Sequence, residues 1–241
     1  MKALKITGIT VLSIVVILVL VAGYFGFMPG VSNLFGSNQP RDLGVKYTAA
    51  DYASAHAKNG TTHTIITSST SPENSIKFSG SHPVNTTYTQ SEFNAEINNR
   101  QWEYYPLEKC QLRINPDNTV EFSGILKIDR LKDYLTAMRV GDDNMNVITD
   151  YLKMVPTDPA IYVKGSLEIE DSRIIKSQVM EFKVGNLALT GQIQEKMPEI
   201  VNAAYAQINA YPGLTVKTLK FANGKVQFEG TLPDSARTIS H

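Results

Sequence analysis

A short pattern recurs three times along the chain: a polar turn is followed by alternating apolar and polar positions. The clearest copy is 116–124, a close copy is 72–80, and a looser one is 223–230. Asp, Asn and Gly favour chain reversals, and alternation with a period of two is typical of a strand with one buried face. The clearest copy and the residues after it share one predicted face, which consists of Val120, Phe122, Gly124, Leu126 and Ile128. The same register groups Val226, Phe228, Gly230 and Leu232 in the looser copy. In the close copy, whose returning strand is predicted over 75–84, it groups Ile76, Phe78, Gly80 and His82. Each copy is therefore predicted to form the turn and returning strand of a β-hairpin.

A helix is predicted before each hairpin. The first two helices, over about 48–58 and 89–99, each begin at a threonine that is followed three residues later by an acid. This spacing is typical of a capping box, in which the two side chains bond each other's backbone amides. The third helix is predicted to begin at Pro198, since proline is well placed at a first helical position. Helix–strand–turn–strand thus occurs three times, which predicts repeated helix–hairpin modules that share one sheet or core.

The material between the second and third modules has a different pattern. An amphipathic helix is predicted over about 129–141, and a second one is predicted to end at Pro156. A long hairpin of 161–169 and 173–184 follows, with a β-bulge near 177–179 where the alternation slips. Tight turns join the strands, so the sheets are predicted to be antiparallel, with helices on one face. The predicted fold class is α+β, with long antiparallel strands packed with helices.

The N-terminal part of the chain predicts a membrane anchor. Residues 8–28 carry no charge and consist mainly of Ile, Val and Leu, and a helix of this length spans roughly 30 Å, the thickness of a bilayer core. Lys2 and Lys5 precede it and the next charge is Arg41, so the positive-inside rule predicts a cytoplasmic N-terminus. A cleaved signal peptide is the alternative, but its apolar region would be shorter and would end in a small-x-small site.

The patterns divide the chain into five parts. Pro, Gly, Ser and Asn without periodicity are typical of a tether, and the repeated modules follow it. The predicted parts are a cytoplasmic tip with a transmembrane anchor (1–28), a linker (29–46), a first helix–hairpin module (47–85), a main α+β domain (86–235) and a tail (236–241). The predicted localisation is the cell membrane, single-pass, with the C-terminal domain extracytoplasmic.

Composition narrows the classes of partner. Hydrophobic residues make up 42% of the chain and charged residues 19%, which is typical of a globular protein. Equal numbers of basic and acidic residues give a formal net charge of zero, so the sequence does not predict the basic surface that nucleic acid requires. Cys110 is the only cysteine, which excludes an intramolecular disulfide. Its alternating neighbours predict a buried strand position, with a reactive thiol or an intermolecular disulfide as the alternative.

The sequence does not predict a metal, cofactor or catalytic site. His56 and His63 lie seven residues apart without a cysteine or paired carboxylate at ligand spacing, and His82 is predicted at a half-exposed strand edge. The acidic clusters at 142–144 and 168–171 lack the ordered oxygen spacing of a calcium loop and are predicted to be solvated turns. Nucleotide-binding, zinc-protease and serine-hydrolase motifs do not occur.

Two further features leave alternatives open. Trp102, Tyr104 and Tyr105 form an aromatic cluster that is predicted to pack in the core, with a binding platform as the alternative. Asn59 and Asn85 begin glycosylation sequons, which have a meaning only in a host that glycosylates such sites.

The order of elements over 85–235 also suggests a family. The features are an opening helix at 89–97, the segment 161–165 leading into a long hairpin, the segment 182–189 before the last helix, and a closing hairpin. In this order the chain resembles the membrane-anchored, extracytoplasmic members of the tubular lipid-binding class, the bactericidal/permeability-increasing-like proteins. The resemblance implies a long curved antiparallel sheet that wraps a helix and encloses an apolar groove for acyl chains. It implies no individual ligand residue and does not cover 45–84.

The predicted function is that of a membrane-anchored, non-enzymatic extracytoplasmic domain. It would bind lipid or another hydrophobic ligand at the cell envelope, with the bilayer, that ligand and envelope proteins as partners. The alternative is an envelope scaffold or protein-interaction module without a pocket, which would work through exposed sheet edges or helix faces. An extracytoplasmic enzyme is a third hypothesis, for which the sequence shows no nucleophile paired with a base.

Overall fold

The computed structural model describes residues 16–17, 19–21, 31–67, 70–138, 158–188 and 192–240. Its helices are α1 (Val31–Leu34), α2 (Ala49–Asn59), α3 (Gln90–Asn98), α4 (Ile128–Ala137) and α5 (Gln192–Asn209). Its strands are β1 (Thr62–Ile66), β2 (Ile76–Ser79), β3 (His82–Thr89), β4 (Leu107–Ile114), β5 (Val120–Leu126), β6 (Ala160–Glu170), β7 (Arg173–Val184), β8 (Leu187–Ala188), β9 (Thr215–Ala222), β10 (Lys225–Leu232) and β11 (Ser235–Ile239).

The strands form one large and one small sheet. The large sheet has the order β3-β10-β9-β6-β5-β4, with β7 paired to β6 and β8 paired to β7, and it curls into a half-barrel. The small sheet has the order β1-β11-β2, in which β1 and β11 are parallel and β11 and β2 antiparallel. The last strand of the chain therefore lies between two strands that come near the start of the folded region.

The prediction of an α+β fold built from repeated helix–hairpin modules is wrong. Among the residues that the structure describes, strand is the dominant secondary structure, with 43% strand and 28% helix. The first predicted hairpin does not exist, because β1 and β2 do not pair and β11 separates them. The predicted strand over 75–84 breaks at Gly80, whose φ is +69°, and its two halves enter different sheets. The predicted helix start at Pro198 is also wrong, since α5 begins at Gln192.

The prediction of a single-pass anchor over 8–28 is also corrected. Helical residues within this segment are Val16–Ile17 and Val19–Val21. Among the residues that the structure describes, no helix combines the length and the apolar character needed to cross a bilayer. This finding counts against the anchor and against the membrane localisation inferred from it. Most of the predicted segment lies outside the described residues.

Both predicted capping boxes are confirmed. The hydroxyl of Thr89 accepts a hydrogen bond from the amide of Glu92 at 3.1 Å, and the Glu92 carboxylate accepts one from the Thr89 amide at 2.7 Å. Thr48 and Asp51 make the same reciprocal pair at the start of α2. These bonds satisfy amide groups that a helix leaves unpaired at its N-terminus.

Replacement of the second cap gives a testable prediction. Thr89→Val keeps the side-chain volume but removes the hydroxyl, so it is expected to lower the free energy of unfolding by about 1 kcal/mol. Urea unfolding measures the change, and Thr87→Val, at an exposed position of the same strand, serves as the matched control. Equal stability of the two variants would show that the cap contributes nothing.

Helix α3 covers the edge strand β4 through side-chain amides. Asn94 Nδ2 donates to the Leu112 carbonyl at 2.8 Å, and the Leu112 amide donates back to Asn94 Oδ1 at 2.7 Å. Asn98 makes the same two bonds with Cys110, both at 2.8 Å. The Ile114 amide donates to Gln90 Oε1 at 2.7 Å.

The spacing of these amides explains how a helix can replace a strand. Four residues of helix rise about 6 Å, and two residues of strand span about 6.7 Å. The stripe Gln90, Asn94 and Asn98 therefore stays nearly in register with alternate residues of β4. This amide stripe satisfies backbone groups that an open sheet edge would expose.

The largest core cluster lies between the large sheet and helices α2 and α3. Its buried members are Ala55, Tyr88, Leu112, Ile114, Phe221 and Val226. Phe93 and Ile97 of α3 pack against it. The apolar face of α3 thus points to the sheet interior, while the amide stripe on its neighbouring face holds the sheet edge. This arrangement fixes the position of α3 relative to the large sheet.

Two buried carboxylates hold neighbouring elements together. Glu92 of α3 accepts hydrogen bonds from Lys58 Nζ at 2.6 Å and from the Ser54 hydroxyl at 2.5 Å, both on α2. Glu121 of β5 accepts from Arg113 Nη2 at 2.6 Å and from the Tyr162 hydroxyl at 2.8 Å. Glu92 therefore joins α3 to α2, and Glu121 joins β5 to both β4 and β6, through charge-assisted hydrogen bonds.

The segment before α2 covers the outer face of the large sheet. Leu43 and Val45 are buried against Tyr162, and the Leu43 amide donates to Gln111 Oε1 at 2.8 Å. The guanidinium of Arg41 lies 4.7 Å from the centre of the Tyr162 ring. These contacts dock the C-terminal end of the predicted linker onto β4 and β6.

Candidate ligand cavity

A cavity of about 250 Å³ lies between the two sheets and is bounded by α3. The large sheet contributes residues of β3, β9 and β10, and the small sheet contributes residues of all three of its strands. Most of the wall is apolar. Its largest apolar side chains are Phe78, Tyr88, Phe93, Leu214, Leu219, Phe228 and Leu232.

The alternation of β10 places its apolar side chains on this wall. Val226, Phe228 and Leu232 were predicted to share one face of a strand, and all three line the cavity. Phe78 faces them from the small sheet, and its ring meets Tyr211 edge-on at a centroid distance of 5.7 Å. The two sheets thus supply opposite sides of one apolar space.

One end of the cavity is polar and charged. His63 of β1 lines it together with Glu96 of α3 and Arg100, which follows α3. Arg100 Nη2 lies 3.6 Å from Glu96 Oε1, and the side chains are 46% and 15% exposed. Glu96 Oε2 is buried and has no hydrogen-bond partner among the described residues. Arg100 therefore connects the apolar space with solvent.

The charge states at this end follow from its surroundings. Partial desolvation and the positive charge of Arg100 lower the pKa of His63, although Glu96 opposes the shift. His63 is accordingly neutral at pH 7. Desolvation and the negative charge of Glu96 raise the pKa of Tyr88 to about 12. The polar end thus carries one cation and one anion, Arg100 and Glu96.

A second cavity of about 530 Å³ is also lined by Arg100. Its charged lining consists of Arg100, Lys109, Arg130 and Glu108. Arg130 Nη1 lies 3.2 Å from Glu108 Oε1, so one of the three cations has a carboxylate partner within this lining. Aromatic side chains of Tyr47, Trp102 and Tyr105 also line the second cavity.

The structure brings two histidines together that the sequence did not connect. The ring centroids of His56 and His63 lie 5.4 Å apart, and Tyr52 stacks on His56 at 5.9 Å. The Gly60 turn folds β1 back beside α2, a reversal that a count of seven residues does not reveal. Within the described residues, no group of three or more His, Cys, Asp or Glu side chains could hold a metal ion.

His82 has a structural role at the junction of the sheets. Its Nδ1 lies 3.0 Å from Asp234 Oδ1, and its Nε2 lies 2.8 Å from the carbonyl of Asn59. Both ring nitrogens are thus occupied by the end of α2 and the turn before β11. The partner Asp234 is 152 residues away in sequence, so local patterns could not identify this contact.

The predicted burial of Cys110 is confirmed. The residue is 2% exposed, and desolvation together with the charge of Glu108 raises the pKa of its thiol to about 12. The thiol therefore stays protonated at pH 7 and is a poor nucleophile.

The open alternatives for the aromatic cluster and the sequons can be compared with the structure. Trp102 is buried, donates from Nε1 to the Ser75 hydroxyl at 3.2 Å, and lies 5.4 Å from the Tyr134 ring, which favours packing. Asn59 is buried and its Oδ1 accepts from the Thr61 amide at 2.9 Å, so the folded chain conceals this sequon. Asn85 is exposed on β3.

Comparisons of the chain with protein-family models, with curated proteins and with solved structures found no match. The resemblance to the tubular lipid-binding class therefore stays a prediction.

Proposed function

We propose that this chain is a non-enzymatic domain that binds a small hydrophobic ligand in the apolar cavity between its two sheets. The observation that carries the proposal is a mainly apolar space of about 250 Å³ with a few polar groups in its lining. Ligand sites commonly combine apolar walls with a small number of polar groups that orient the ligand.

The size of the space limits the ligand. An apolar cavity of about 150 Å³ in another protein stays dry and binds benzene. Pockets that bind drug-sized ligands have volumes of roughly 300 Å³ or more. The cavity between the sheets lies between these values. It therefore suits a substituted aromatic ring or an aliphatic chain of medium length rather than a two-chain lipid.

The roles of the buried polar groups favour binding over catalysis. Glu92 and Glu121 accept several structural hydrogen bonds each, so neither is available as a general base. The Cys110 thiol is protonated at pH 7 because its pKa is about 12. Both nitrogens of His82 are engaged by Asp234 and Asn59. These groups maintain the fold around the cavity.

A cavity-filling substitution tests the proposal. Leu214→Trp enlarges a wall residue, so it is expected to weaken the binding of 1-octanol to the full-length chain at least tenfold, because the indole occupies the ligand space. Isothermal titration calorimetry of 1-octanol into the wild type and the variant measures both affinities.

The matched control is Leu187→Trp, at a half-buried position of β8 outside the cavity lining. It is expected to keep the wild-type affinity, and circular dichroism checks that both variants are folded. Absence of saturable octanol binding to the wild type, or equal loss in the two variants, would contradict the proposal. The first of these results would instead favour the pocketless interaction module.

A further inference from the structure

We propose that the ligand carries a single negative charge, in the form of a carboxylate, and that Arg100 binds this group where the two cavities meet. The inference rests on the proposed function, because the apolar cavity is taken to hold the body of the ligand. It adds the chemical class of the ligand, an amphipathic monocarboxylate with an aryl or medium-chain alkyl body.

The position of Arg100 is the first argument. Its side chain lines both cavities, so a ligand whose body lies against Phe93 and Phe228 has its polar end at the guanidinium. The distance of 3.6 Å to Glu96 exceeds that of an ordinary hydrogen bond. Its planar set of donors can therefore bind a carboxylate through two parallel hydrogen bonds.

The charge around Arg100 is the second argument. Lys109 and Arg130 also line the second cavity, and Glu108 is the one carboxylate among the lining residues, paired with Arg130 at 3.2 Å. Cations that share one wall repel each other, and an anion placed among them relieves the repulsion. The cations of the second cavity therefore favour the binding of a negatively charged group beside Arg100.

The backbone at Lys109 supports the same interpretation. Lys109 has a φ of +51°, a conformation that non-glycine residues rarely adopt. It lies in a β-bulge, since the pairing of β4 with β5 shifts register between Glu108 and Gln111. Bulges of this kind redirect a side chain and are frequent beside functional sites. Here the bulged residue supplies one of the cations that line the second cavity.

The Glu96 carboxylate limits the negative charge that a bound ligand can carry beside Arg100. The carboxylate lies beside Arg100, and one of its oxygens is buried without a hydrogen-bond partner among the described residues. A doubly charged group such as a phosphate monoester would be repelled by this carboxylate more strongly than a monoanion. The geometry thus favours a carboxylate over a dianionic head group.

Two probes with the same eight-carbon hydrocarbon chain, octanoate and 1-octanol, test the inference. Octanoate and 1-octanol differ mainly in the charged end, so octanoate is expected to bind the full-length wild type roughly tenfold more tightly at low ionic strength. Arg100→Gln is expected to abolish this preference, because it lowers the octanoate affinity much more than the octanol affinity. Lys109→Gln, which changes a residue outside the apolar cavity lining, is expected to reduce the octanoate affinity by roughly twofold to threefold.

The matched control is Arg173→Gln, at an exposed position of β7 away from both cavities, which is expected to keep both affinities. Equal binding of octanoate and octanol to the wild type would overturn the inference but leave the proposed function intact. An equal loss of both affinities in Arg100→Gln would also overturn it, because Arg100 would then support the cavity only structurally. If neither probe binds, the proposed function fails and this inference fails with it.

Discussion

Asn94→Leu is expected to lower the free energy of unfolding by about 2–6 kcal/mol. Asn94 is fully buried, with 0% exposure, and its amide bonds both the carbonyl and the amide of Leu112. Leucine has the same number of side-chain heavy atoms and a similar branched shape but neither donor nor acceptor, so both backbone groups of β4 lose their partners. Each buried unsatisfied group costs about 1–3 kcal/mol, a large share of the roughly 5–15 kcal/mol that stabilises a typical domain.

Urea unfolding followed by circular dichroism measures this change. The matched control is Asn99→Leu, since Asn99 is exposed and its Nδ2 donates only to the Ala95 carbonyl of its own helix, at 2.7 Å. The control is expected to change stability by less than about 1 kcal/mol. If both variants lose the same small amount, the amide stripe does not stabilise the sheet edge.

The amide stripe also determines where the candidate site lies. Gln90, Asn94 and Asn98 lie four residues apart on the side of α3 that faces β4, whereas Phe93 and Glu96 face the cavity. The same helix therefore closes the sheet edge and supplies part of the cavity wall. Its position is fixed by directional hydrogen bonds rather than by apolar contact alone, which sets the position of the chain that continues to Arg100.

Local sequence patterns were sufficient to predict hairpins, a bulge and helix caps, because in each of these the interacting residues are close in sequence. The hairpins β4–β5, β6–β7 and β9–β10 pair as predicted, because each is closed by a short polar turn. The predicted bulge in β7 is confirmed with a small displacement, since Lys164 pairs with Glu181 and Gly165 with Val179. The two capping boxes depend on residues only three positions apart, and both are present.

Pairings between distant segments could not be derived in this way. Backbone hydrogen bonds do not depend on side-chain identity, so alternation shows which face of a strand is buried but not which strand lies beside it. The parallel pairing of β1 with β11 joins Thr62 to Ser235. The alternation of Ile76, Phe78, Gly80 and His82 also continues unbroken across the point where the chain changes sheets.

Only the part of the cavity wall that β10 forms could be predicted from the sequence. The apolar side chains of β10 could be assigned to an inward face from their alternation. Arg100 gave no comparable signal, because an exposed arginine after a helix is normally a solvated surface residue. It reaches the cavity because α3 is held against β4 and because β1 returns beside the end of α2, and both arrangements depend on non-local contacts.

The stability of the protein is expected to fall steeply as the pH decreases from about 4.5 to about 2. Desolvation alone would raise the pKa of Glu92, but hydrogen bonds from Lys58, Ser54 and the Thr89 amide outweigh it and lower the pKa to about 2. Desolvation of Glu121 is likewise outweighed, mainly by hydrogen bonds from Arg113 and Tyr162, and its pKa is also about 2.

The sign of the effect follows from proton linkage. The ordinary glutamate pKa is 4.5, so between pH 4.5 and 2 the unfolded chain binds protons that the folded chain does not. Acidification therefore favours unfolding. The contribution of each carboxylate is fully present above pH 4.5 and is lost as the pH falls through the folded-state value of about 2. A shift of this size corresponds to on the order of 3 kcal/mol for each group.

Urea unfolding of single variants at a series of pH values separates the contributions of the two carboxylates to stability. Glu92→Gln and Glu121→Gln cannot ionise at the replaced position, so each is expected to be less stable than the wild type at pH 7 and to lose less stability than the wild type between pH 4.5 and 2. Glu170→Gln, at an exposed end of β6, is expected to keep the full dependence. A wild-type stability that does not change between pH 4.5 and 2 would show that Glu92 and Glu121 titrate alike in the folded and unfolded chains. The two carboxylates would then hold α2 to α3 and β5 to β6 in geometry only, without a net electrostatic contribution to stability.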